Sequence, residues 1–145
     1  MPDITTLTDD VVEEILEVAP NGYARLGLIP ESDPREVLRA VEEVLRLHRR
    51  GEDELDGQDL VTLGVVVGDV YVRTLDWEWA ELTYGPEAKA YAVLDPTAAV
   101  GNQPMNWVYD IARNPDREIA LASGYDVAAE QRWPPAQPGD AIMLH

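Results

Sequence analysis

A chain of 145 residues, 46% hydrophobic and 27% charged, falls within ordinary globular usage, which excludes disordered and fibrous classes and permits a packed core without staples. Cysteine is absent, which excludes a disulfide framework, a thiolate zinc site and a cysteine nucleophile. Eleven bases against 28 acids give a net charge of −17, a field that repels phosphate backbones, argues against nucleic acid as a ligand and favours encounter with a basic protein.

The opening residues place acids where a secretion signal carries its positive segment, and no apolar run approaches the roughly 18 residues of a membrane span. A cytoplasmic protein without membrane association is expected. Thr8 or Thr6 can cap a first helix over about 8–19, with Asp9, Asp10 and Glu13 in its first turn and Val11, Val12, Ile15, Leu16 and Val18 as its apolar face. Pro20, Asn21 and Gly22 are expected to close it.

Asp33-Pro34-Arg35-Glu36 is the strongest local signal. Asp33 can accept a bond from an orphan N–H, and Pro34 sits at the first helical position, where its missing donor costs nothing. The helix should run over about 34–50, apolar at Val37, Leu38, Val41, Val44 and Leu45, with arginines in its last turn and Gly51 as its stop. An acidic connector follows, and Asp56 or Asp59 can cap a third helix over about 58–75. In it Asp59, Thr62, Val66, Asp69, Arg73 and Asp76 mark a mostly polar stripe. Gly64 and Gly68 lie one turn apart there, each costing roughly 1 kcal/mol against alanine, so a neighbour should press close to the backbone.

The pattern then turns to strands. Residues 77–84 place Trp77, Trp79, Glu81 and Thr83 on one face of a strand, Gly85-Pro86 makes a turn, and 88–94 returns antiparallel. Pro104 opens a short helix over 104–113, the segment around Glu118 to Gly124 is open between helix and strand, and an extended proline-rich tail begins near 133, with 141–144 available as a last edge strand. The whole reads as one α+β domain, helices packed on a small antiparallel sheet.

The chemistry-bearing patterns are sparse. With two histidines, His48 and His145, and no thiols, a nitrogen-rich metal site is disfavoured, and His48 reads as a helix-end residue favoured by the dipole. Carboxylates at 52, 54 and 56 before Gly57 echo a calcium loop, yet the twelfth position is Leu63, so the segment reads as a solvated acidic turn. Neither serine lies in a nucleophile elbow, and no phosphate-cradling glycine loop occurs. No cofactor is expected. Asp69 stands in an apolar stretch one turn before Arg73, where an i,i+4 ion pair is the simplest reading and a ligand contact the sharper one. Trp77, Trp79 and Trp107 fit core packing or, if open to solvent, the anchors of a protein interface, with Glu78 and Glu81 beside them.

Leu63-Gly64-x3-Gly68-Asp69, followed by Trp77-x-Trp79, two strands and Pro104-x3-Val108, resembles a group of small acidic bacterial domains that share a helix of this type leading into a W-x-W strand. The resemblance covers about residues 58–113 and implies helices set before a short sheet. This chain has Asp69 where Glu is common in that group, and no catalytic residue carries over. Small acidic domains of similar style include immunity proteins. Two functions are expected: a non-enzymatic module, of immunity or adaptor type, that docks a basic partner, or a small-ligand binder with a pocket near Asp69, Trp77 and Trp79.

Overall fold

The structure, a computed structural model, describes residues 2–145. In chain order the elements are β1 (Asp3–Thr6), α1 (Asp9–Leu16), α2 (Ala19–Arg25), α3 (Pro34–Arg49), α4 (Gly57–Leu75), β2 (Glu78–Tyr84), β3 (Ala88–Leu94), β4 (Val100–Asn102), α5 (Pro104–Arg113), α6 (Leu121–Ala129) and β5 (Ile142–Met143). The class is α+β, as expected.

The starts of α3 and α4 follow the capping chemistry in the sequence, whereas at α1 Thr8 holds the N-cap position without a side-chain bond and Thr6, the other expected cap, belongs to β1. Asp33 accepts the N–H of Arg35 at 2.9 Å and of Glu36 at 3.3 Å. At α4, Asp56 accepts from the N–H of Asp59 at 2.8 Å while Asp59 accepts from that of Asp56 at 3.0 Å, a reciprocal box. The first helix differs from the expectation. It ends at Leu16, and Pro20, expected to close it, instead stands in the first turn of α2, where a residue without an N–H breaks no helical bond.

α4 is the central helix, in contact with α1, α2, α3, α5, β2 and β3. Every residue from Leu63 to Tyr71 is buried. The polar stripe expected on it does not exist as a solvated face: Val66 is fully buried and Asp69 is 4% exposed. A helix surrounded on all sides reads as apolar all round. Its two interior glycines, Gly64 and Gly68, do meet close neighbours. A Cβ on Gly64 would stand 2.5 Å from the Met105 Cα of α5, and one on Gly68 would overlap the Trp79 ring.

The five strands lie in sequence order, β1-β2-β3-β4-β5, antiparallel except for the last pair, which is parallel. Trp79 and Val93 join the main core with the helices. Ala80, Leu82, Ala92 and Leu94 point to the opposite face and form a smaller cluster with Ala141, packed by Ile4, Ala98 and Met143. The sheet is thus apolar on both sides, and the C-terminal segment supplies part of the second cover. Asp95 fixes the turn after β3, accepting from the N–H groups of Thr97 at 3.2 Å, Ala99 at 2.8 Å and Val100 at 3.0 Å and from the Thr97 hydroxyl at 2.8 Å.

Candidate functional site

The residues singled out from the sequence separate into three places. Asp69 lies inside the helical layer, where one carboxylate oxygen accepts the Tyr23 hydroxyl at 2.7 Å and the Arg73 Nε–H at 2.8 Å. The i,i+4 pair is therefore present, and a phenol from α2, 46 positions away, completes it. Burial, then the bond to Asp69, pushes the Tyr23 phenol well above its ordinary range. For Arg73 the hydrogen bond and charge of Asp69 outweigh partial desolvation and raise its already high value. With both partners drawn onto one buried oxygen, Asp69 fastens α2 to α4.

Trp77 and Trp79 do not share a strand face, because Trp77 precedes β2. Each is 3% exposed, so neither ring is an exposed docking anchor. Trp77 packs against Tyr71 with ring centroids 4.9 Å apart, and Tyr71 meets Tyr125 edge-on at 5.4 Å. The indole N–H of Trp79 is buried without an acceptor among the described residues. Between them Glu78 is exposed, while Glu81 is half-buried and faces Lys89 at 3.9 Å across the hairpin.

These residues border a cleft of about 240 Å³ at the junction of β1, α1, α4 and β2. Val72, Trp77 and Trp79 form one side, and Leu7 and Val12 the other. Its polar lining comes from Thr6, Asp9 and Glu78. A second hollow of about 220 Å³ shares Thr6, Glu78 and Trp79 and extends to Asp95 and Thr97. The two meet where β1 ends: Thr6 pairs with Ala80, so β2 runs on to Glu78 without a β1 partner. Asp69 lines neither hollow. Sequence reasoning missed Thr6, Leu7, Asp9 and Val12 as neighbours of the tryptophans, since β1 holds a single large apolar residue, Ile4, and gives no alternation signal.

Trp107 lies in a third place. It is 5% exposed and stacks on the His145 imidazole, with centroids 5.2 Å apart and planes 10° from parallel. His145 Nε2 accepts the backbone N–H of Gln103 at 2.9 Å. That assigns the proton of the neutral ring to Nδ1. Burial, with a smaller contribution from Arg117, lowers the imidazole to about 4. Beside this stack is an open hollow of about 460 Å³ that includes Arg117, Ser123 and Gly124. Its arginine is paired with Asp110 at 3.2 Å. His48, within the last turn of α3, accepts the Leu55 N–H at 3.2 Å on Nδ1 and so ties down the acidic connector.

The charge has a definite arrangement. Among the described residues seven bases form ion pairs: Arg25 with Asp53 and Asp59, Arg35 with Asp126, Arg46 with Glu42 and Glu43, Arg73, Lys89 and Arg117 as above, and Arg132 with Glu130. Arg49 donates to the carbonyls of Ile111, Asn114 and Arg117. By contrast Asp9, Asp10, Glu13, Glu14 and Glu17 are all exposed on α1 and its C-terminal cap, with no ion pair among the described residues. Among the described residues no group of three or more His, Asp or Glu is placed to hold a metal ion, and no helix is long and apolar enough to cross a membrane. No family model, curated protein or solved structure matches this chain.

Proposed function

We propose that this chain is a non-enzymatic binding protein of the cytoplasm, of immunity or adaptor type, whose acidic surface docks a basic protein partner. The observation that carries the reading is the ridge on α1. Its five carboxylates recur at i,i+4 spacing, and each such like-charge pair costs a helix a few tenths of a kcal/mol, about 0.2–0.5. Glu17 also sits at the negative end of the helix dipole. A basic surface would relieve all of these at once, and the chain's own bases are mostly committed elsewhere. The long-range part of that attraction should weaken with salt.

The test is affinity capture from the native lysate with two baits, the wild-type chain and a variant in which Asp9, Asp10, Glu13, Glu14 and Glu17 become their amides. A partner retained by the wild type at low salt, released at high salt and absent from the variant supports the reading. Equal retention by both baits overturns it.

One observation favours a second reading, a small-ligand binder. Trp77 and Trp79, with Glu78 between them, do border a cleft against α4 and α1. Indole resonances that shift saturably with a soluble metabolite, and do so equally in the amide variant of Asp10, Glu13, Glu14 and Glu17, would establish it. A full metabolite panel that leaves all four indole signals in place would dismiss it.

A further inference from the structure

We infer that the cleft between α1 and β2 is a receptor for a small organic ammonium ion, a quaternary or primary alkylammonium head of a few heavy atoms. The inference rests on the small-ligand reading of that cleft and gives its ligand a chemical class. Three features of the cleft select the class. Two indoles contribute to the wall, and indole is the aromatic side chain whose face attracts a cation best. The charged groups of the lining, Asp9 and Glu78, are both acids, both exposed at the rim, and neither has an ion-pair partner among the described residues. The apolar remainder, Leu7, Val12 and Val72, suits the methyl or methylene groups that surround an ammonium charge.

Neutral and anionic ligands fit less well. An anion would meet two carboxylates and no base in the lining. A neutral apolar ligand would leave the rim carboxylates unused, and it would gain nothing from the net charge of −17, which concentrates cations near the surface. The nearest arginine along α4, Arg73, is turned onto Asp69 at 2.8 Å and does not line the cleft. The volume, about 240 Å³, admits a head group the size of trimethylammonium together with a short chain.

The test uses the full chain and a matched pair of probes: choline, and 3,3-dimethylbutan-1-ol, which replaces the ammonium nitrogen by carbon and keeps the shape. Nitrogen-15 spectra resolve the four indole N–H signals, assigned by single tryptophan-to-phenylalanine variants. Choline should shift the Trp77 and Trp79 signals saturably, leave Trp107 and Trp133 in place, and bind at least about ten-fold more tightly than the neutral probe. The double substitution Asp9→Asn with Glu78→Gln changes exposed residues, so the fold persists, and it should weaken choline by about ten-fold. Glu87→Gln, at the exposed hairpin turn, should leave choline affinity unchanged.

Equal binding of both probes at Trp77 and Trp79 keeps the cleft as a ligand site and overturns the ammonium class. Choline binding that the double substitution leaves intact also overturns it. Neither probe shifting those two indoles overturns the cleft reading itself.

Discussion

Gly64→Ala offers the sharpest check on how α4 is packed. Alanine is favoured over glycine inside a helix by about 1 kcal/mol, so propensity alone predicts stabilisation. The packing predicts the reverse. The new methyl would lie 2.5 Å from the Met105 Cα, 2.9 Å from its Cγ and 3.0 Å from its backbone nitrogen, and a backbone atom at the start of α5 cannot swing aside as a side-chain end can. Overpacking of this kind costs about 1–3 kcal/mol, and a backbone neighbour puts the cost at the upper end, near 3, leaving a net loss of about 2 kcal/mol. For a chain of this length that lowers Tm by about 4–8 °C. The control lies on the same helix: around Gly57 a Cβ would meet nothing within 4 Å, so Gly57→Ala should hold or raise Tm. Calorimetry of the two variants at one pH decides the matter, and a Gly64→Ala protein as stable as Gly57→Ala would refute the close approach of α5.

Three further outcomes follow from the geometry. His145 titrates at about 4 in the folded chain against about 6.5 unfolded, so the native state binds fewer protons and stability is lost as pH falls from about 6.5 towards 4. Between pH 7.5 and 5 the loss is about 2 kcal/mol, read as the extra decline of the wild type over His145→Gln in denaturant titrations; identical declines would refute it. Tyr23→Phe and Asp69→Ala share one bond, so their costs, about 1–2 and 2–3 kcal/mol, should fall short of additive by about 1 kcal/mol in a double-mutant cycle, and strict additivity would mean that the 2.7 Å contact contributes nothing. Asp95→Ala removes the acceptor of three buried or half-buried N–H groups and should cost about 2–4 kcal/mol while speeding amide exchange at Ala99 and Val100; unchanged exchange there would contradict the assignment.

The legible parts of the fold are those whose physics is local. Asp33-Pro34 and Asp56 announce their helices because a cap is satisfied within three residues. The hairpin of β2 and β3 is legible because alternation and a Gly-Pro turn coincide. Gly64 and Gly68 are legible as places of close approach, although nothing local says that Met105 and Trp79 are what approach. The failures are equally specific. Pro20 serves to stop one helix or to start another, and only the burial of Ala19 and Tyr23 against α4 selects the start. β4, Val-Gly-Asn, is too short to alternate, and β1 is an edge with one apolar residue. At the site, the burial of Trp77, Trp79 and Trp107 was available from their type, whereas the Tyr23–Asp69 bond and the meeting of Asp9 and Glu78 on one cleft join residues 46 and 69 positions apart in sequence, which no local pattern encodes.

The order of the sheet has a practical corollary. Its outermost strands are the first and the last in sequence order, and both are short, four residues of β1 and two of β5. Behind β1 lies β2, seven residues long and carrying Trp79, Ala80 and Leu82, the kind of strand that recruits further copies of itself once its edge is bare. β1 therefore acts as a hem. Trimming Asp3–Thr6, or threading a rigid fusion partner directly onto them, should promote self-association through the bared edge of β2 well before the helical layer comes apart.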